Sequence, residues 1–134
     1  RCLADPELNH PFARSDLHPE HVERLAAYWA EVLGGPPAYS PACAGDQSSL
    51  LDMHAHNGPM GDLGDRFVAC FALGMDDAGL PADPEFRAAF VSYVEWGTRL
   101  AMHNSQPNAD VVEHAPVPRW GWGVAPPYLP NVPR

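Results

Sequence analysis

The segment Met53-His54-Ala55-His56-Asn57-Gly58-Pro59 carries two of the chain's seven histidines at the end of a short apolar run, directly before a Gly-Pro break. Imidazole is the commonest protein ligand for transition metals and titrates near neutral pH, so such a pair raises two chemistries. One is tetrahedral zinc, with His54, His56, His21 and a carboxylate as ligands. Helical geometry works against it: at roughly 100° per residue, side chains at i and i+2 point about 200° apart, so both rings reach one ion only where the helix has unwound. No His-Glu-x-x-His motif and no cysteine at ligand spacing accompanies the pair. The other chemistry is a single axial bond from one inward histidine to haem iron, which needs apolar, aromatic surroundings rather than further protein ligands.

His54 follows Leu50, Leu51 and Met53, so its ring can turn inward rather than to water. His18 and His21 flank a helix start, and His21 precedes Leu25 by four residues and Tyr28 by seven, on a face that includes apolar side chains. His10 stands before a proline in a loop, and His103 and His114 lie near the tail, where solvation explains them. Phe12, Tyr28, Trp29, Phe67, Phe71, Phe86, Phe90 and Tyr93 are spread over the segments that would have to enclose a planar macrocycle. The same aromatics also make an ordinary packed core. By residue type alone, haem, zinc and plain packing all remain open.

The elements that must position these side chains are marked off by 16 prolines. A first long helix is expected after Ser15-Asp16-Leu17-His18-Pro19, with Val22, Leu25, Ala26, Trp29, Val32 and Leu33 as a stripe facing the core and Gly34-Gly35-Pro36-Pro37 as its stop. A short one is expected from Gln47 to His56. A third runs from Met60 to Ala78, with Leu63, Phe67, Cys70, Phe71 and Met75 on one face and Gly79-Leu80-Pro81 closing it. The fourth starts at Asp83-Pro84-Glu85, a capping residue followed by proline in the first turn, and carries Phe86, Ala89, Phe90, Tyr93, Val94, Gly97 and Leu100 as its stripe. No segment alternates with period two, so the fold class is all-α.

Length and composition bound the rest. A chain of 134 residues holds one core. The globular domain is expected over residues 1–105, and a Pro/Trp-rich tail over 106–134. The tail's Arg119-Trp120-Gly121-Trp122-Gly123 is too aromatic for a plain linker and is expected to fold back over the edge of the core, with docking of a partner as the other reading. The net charge of −9 speaks against nucleic acid and anionic membrane surfaces as partners. No membrane span or signal segment is evident, so a soluble, cytoplasmic protein is expected. Cys2, Cys43 and Cys70 share no metal-binding spacing and are expected as free thiols.

In their order and spacing, several pieces resemble the bacterial truncated haemoglobins, most closely the group II branch of actinobacterial type. These are Ala4-Asp5-Pro6-Glu7-Leu8 with Phe12; Glu23-Arg24-Leu25 through Trp29 to Leu33-Gly34-Gly35-Pro36 and Tyr39-Ser40; Met53-His54-Ala55; Arg66-Phe67-Val68; and Asp76-Asp77-Ala78-Gly79-Leu80. Ala101-Met102-His103-Asn104-Ser105-Gln106-Pro107 and Trp120-Gly121-Trp122-Gly123 match the ending of some members.

The resemblance implies a globin-like, two-over-two helical sandwich that binds haem. In it the distal helix and the one before it oppose the pair Met60–Ala78 and Asp83–His103. His54 takes the proximal, iron-ligating position. The expected haem-lining set is His54, His21, Phe12, Leu25, Tyr28, Phe67 and Tyr39, with His21 above the ligand. Phe67 stands where group II members usually carry a tryptophan, so distal hydrogen bonding to the ligand falls to His21. The family's first helix and most of its second, with a distal tyrosine, would precede Arg1, which leaves the pocket open on one side. The implied function is binding of oxygen or another diatomic ligand, including oxygen transport, with nitric oxide detoxification or peroxidase-like activity through an unidentified reductase as compatible chemistries. The alternative is a haem-free globin-fold interaction module.

Overall fold

A computed structural model describes residues 1–12, 18–42, 48–111 and 116–122, without the side chains of Phe12, Ala42, Ser48, Ser49 and Leu50. Cys43, His114, the Ser15-Asp16-Leu17 helix approach and the tail from Gly123 lie outside the described residues. The described chain is helical, with no strand among those residues. A 3₁₀ turn at Cys2–Ala4 leads to α1 (Asn9–Phe12), α2 (His21–Val32), α3 (Tyr39–Ala42), α4 (Ser48–His54), α5 (Leu63–Asp77) and α6 (Pro84–Asn104). No helix among these residues is long and apolar enough to cross a membrane.

α5 and α6 form an antiparallel hairpin, the principal helix pair of the molecule. Its direction is fixed at both ends: Arg99 near the end of α6 bonds Asp65 at the start of α5 (2.7 Å), and Arg87 at the start of α6 meets Asp76 at the end of α5 (2.9 Å). Arg87 also donates to the carbonyls of Pro81 (2.6 Å) and Leu80 (2.9 Å), so one guanidinium ties the whole corner. The helix boundaries follow from local chemistry. Asp83 Oδ1 accepts from the Phe86 amide at 2.8 Å with Pro84 behind it, an N-cap followed by the one residue that loses nothing in the first turn. α5 ends in a Schellman motif, in which the amides of Gly79 and Leu80 donate to Asp76 and Met75 at 3.0 Å each. That motif puts its C′ residue in the left-handed region, and Gly79 sits there at φ 66°. α2 closes the same way at Gly34, φ 91°, with Gly34 and Gly35 donating to Glu31 and Ala30.

The core falls into two clusters that share Trp29 and Trp120. One holds Tyr28, Val32, Tyr39 and Tyr93; the other holds Met75, Phe90 and Val94, with Phe67, Phe71, Leu80 and Phe86 packed around it. Trp29 bridges them, at 5.0 Å from the Phe71 ring and 6.4 Å from both Phe90 and Tyr93. The expected stripes of α5 and α6 hold. On α2 the expected Trp29 and Val32 do face the core, and Tyr28 and Glu31 are buried beside them. Val22 is 67% exposed because the helix rests on α6 through its C-terminal half, and Leu33, at the C-cap, is also exposed. The short α1 and α3 were not anticipated, and the Met60–Ala78 helix begins only at Leu63.

The tail returns to the domain. The Trp120 amide donates to the Val32 carbonyl at 2.8 Å, and its ring packs edge-on to Phe86 and Phe90 at 6.0 and 6.1 Å. Asp83→Ala and Gly79→Ala should each lower the unfolding free energy by about 1 kcal/mol, the first by leaving a first-turn amide uncapped, the second by forcing a Cβ into the left-handed region. Urea titration checks this, with the midpoint falling and the slope unchanged.

Candidate functional site

α4 has seven residues, too few to persist in water by backbone hydrogen bonding alone. Buried Leu51 anchors it, and it packs against α6. Its exit is held tightly. Asn57 Nδ2 donates to the Met53 carbonyl at 2.9 Å, and the amides of His56 and Gly58 donate to the carbonyls of Asn104 and Ser105 at 2.9 and 2.7 Å. The carbonyls at the end of any helix lack intrahelical donors, so the segment after α4 satisfies the end of α6 while α6 fixes that segment.

His54 is therefore the last residue of a helix whose exit is fixed by backbone bonds, and its side chain is half-buried. His56 differs. It is exposed, its backbone is left-handed at φ 55°, and its Nδ1 lies 3.2 Å from the Gln106 carbonyl, an arrangement that requires the proton on Nδ1. Among the described residues no group of three or more His, Cys, Asp or Glu side chains is placed to hold a metal ion, so the zinc set of His21, His54, His56 and a carboxylate is not assembled there.

The other expected residues fall into two sets. Tyr28 and Tyr39 meet edge-to-face at 5.3 Å and 78°, both deep in the first core cluster. Phe67 is half-buried on α5, 6.2 Å from the Phe71 ring, beside the second cluster. His21 opens α2 and is half-buried, as is Leu25 one turn on; neither belongs to a core cluster. The side chain of Phe12 lies outside the described residues.

α2 and α4 are seated at different stations on α6. α2 docks through Trp29 and Tyr28 near Phe90 and Tyr93, whereas α4 docks by the last turn, next to Asn104. The eleven residues from Tyr93 to Asn104 correspond to about 16 Å of helix. A separate cavity of about 310 Å³ opens where α2 meets the α5–α6 corner, lined by Trp29, Leu33, Phe71, Met75, Leu80 and Phe90 with Gly74 and Ala78. Among the expected haem-lining residues whose side chains are described, none borders it.

One buried charged residue was not singled out from the sequence. Glu31 is buried, and its carboxylate accepts from the amides of Tyr39 (3.1 Å) and Ser40 (2.9 Å) and from the Ser40 hydroxyl. It thereby caps the first turn of α3 from another helix and seats Tyr39 against Tyr28. The Ser40 hydroxyl, followed by the Ser40 amide, holds the Glu31 carboxyl below the ordinary glutamate range. An acid three residues after Tyr28 and one before Val32, on the inward side of an apolar helix, was the available signal.

Comparison with family models, with curated proteins and with solved structures finds no match for this chain.

A carboxyl whose folded pKa is depressed stabilises the fold above its unfolded pKa, and that contribution disappears as pH falls through the folded value. Glu31→Gln, which keeps an acceptor but no charge, should lower the melting temperature at pH 7 and flatten the loss of stability below about pH 4.5. Thermal melts of both proteins between pH 3 and 7 check this. Parallel curves would show that Glu31 is not the titrating group.

Proposed function

We propose that the protein binds haem through His54 in a two-over-two helical sandwich of truncated-globin type, and that it takes up oxygen or another diatomic ligand reversibly. The observation that carries the reading is the seating of α2 and α4 apart on α6. Two helices, one opening with a half-buried histidine and one ending with a half-buried histidine, are held at separate stations along α6. The donor set suits the group. One imidazole on a held helix end meets the need of an iron already bound by four porphyrin nitrogens, and no cluster of protein ligands is required. Haem, when bound, supplies an iron centre with an open coordination position for a small ligand.

The chain's own residues then divide the work. His54 supplies an imidazole nitrogen, and the backbone bonds from His56 and Gly58 to α6 limit how far its helix end can move. His21 is the residue of the expected distal set with a ring N–H to donate to a polar ligand, since Phe67 has no donor. Leu25 and Phe67 keep their side of the site apolar. Turnover of nitric oxide or peroxide would in addition need an external reductant.

A second reading, a haem-free helical interaction module, rests on Trp122, which is 64% exposed although it lies 5.3 Å from Trp120 and 6.1 Å from Phe86. Exposed tryptophan of this kind marks docking surfaces.

Absorption titration of the purified chain with hemin, followed by dithionite and carbon monoxide, separates the two. The haem reading expects a saturable Soret band that shifts with carbon monoxide. His54→Ala should abolish that band. His21→Ala should keep it and speed oxygen dissociation on the order of tenfold, the loss of one hydrogen bond. A normal spectrum for His54→Ala would overturn the proximal assignment, and a wild-type chain with no saturable band would leave the interaction module.

A further inference from the structure

The N-terminal segment lies antiparallel along α5, held at two points. Arg1 pairs with Asp77 at the end of α5 through two hydrogen bonds of 2.5 and 2.8 Å, and Asp5 meets Arg66, in the first turns of that helix, at 3.6 Å. Asp5 is itself fixed, because its carboxylate accepts from the amides of Glu7 and Leu8, and Leu8 is buried. Between these two ion pairs the segment brings the Cys2 thiol beside that of Cys70. Both are reduced and half-buried. By their number and spacing the three cysteines read as free thiols, and 68 positions separate these two in the sequence. The fold makes them neighbours.

We propose that Cys2 and Cys70 are a peroxide-oxidisable pair whose disulfide fastens the N-terminal segment to α5. With hydrogen peroxide as oxidant, the Cys70 sulfur attacks one peroxide oxygen, an S–O bond forms as the O–O bond breaks, and the Cys70 thiol proton leaves with the departing hydroxide as water. Cys2 then attacks the Cys70 sulfenic sulfur, an S–S bond forms, the S–O bond breaks, and the Cys2 proton leaves with the hydroxide as a second water. Two thiols are oxidised and one peroxide is reduced to two waters. Cys2 is the resolving partner, because burial, followed by the adjacent Cys70, pushes its thiol up and keeps it protonated until the sulfenic acid stands beside it. The ion pairs on either side hold the two sulfurs together through both steps. Closing a long loop restricts the unfolded chain, so the oxidised form should also be the more heat-resistant one.

The test uses the full chain before any hemin is added, treated with stoichiometric hydrogen peroxide, then alkylated, digested without reductant and mapped by mass spectrometry. The expected result is a Cys2–Cys70 peptide pair lighter by two hydrogens, a melting temperature raised by about 5 °C, and reversal of both by dithiothreitol. Cys70→Ser should lose the link and the gain. Cys43→Ser should keep both, and this variant decides the matter should Cys70→Ser fail to fold. Persistence of both thiols as alkylated cysteines, or a link that runs through Cys43 or between two chains, would overturn the proposal.

Discussion

A helix of four to seven residues does not survive in water on its own hydrogen bonds, and α1, α3 and α4 are all of that length. Each must be held by groups from elsewhere in the chain, and the described structure is organised around meeting that need. α1 follows the Asp5 carboxylate, which collects the amides of the turn leading into it. α3 begins on the Glu31 carboxylate. α4 leans on α6 through Leu51, and its exit joins the end of that helix. The long hairpin of α5 and α6 is what makes this possible, since among the described residues it is the most extensively packed pair of helices.

Trp29 and Trp120 give the hairpin its cover. The rings of Trp29, Phe71 and Phe90 interlock at 5.0 to 6.4 Å with tilted or edge-on faces, the arrangement aromatic quadrupoles favour over flat stacking. Trp120 arrives from the tail and closes the other side of Phe90. Residues well past the expected domain boundary at 105 thus contribute to the same core, joined to α2 by one main-chain hydrogen bond.

What the sequence could disclose was decided by range. The Schellman endings at Gly34 and Gly79 and the Asp83 cap were legible because all their partners lie within five residues. The stripe of α2 held at Trp29 and Val32 but not at Val22, because periodicity finds an apolar side and not the part of the helix that will be covered; Val22 lies before the point where α2 meets α6. α3 was missed because its cap comes from an acid eight residues earlier. The all-α class was legible; the sandwich topology that the resemblance implies was not tested by any residue pattern. At the candidate site, sequence placed His54 at a helix end correctly. It gave no hint that His56 would turn to the Gln106 carbonyl, because that contact joins residues 50 apart.

The hold on the exit of α4 is made by main-chain groups on both sides, at His56 to Asn104 and Gly58 to Ser105. Such a clasp is indifferent to side-chain identity but strict about spacing. The two positions can therefore drift in residue type, within the limit that a left-handed backbone sets at position 56, while a single inserted or deleted residue between them would put donor and acceptor out of phase. Over evolutionary time this short stretch should change its letters more readily than its length.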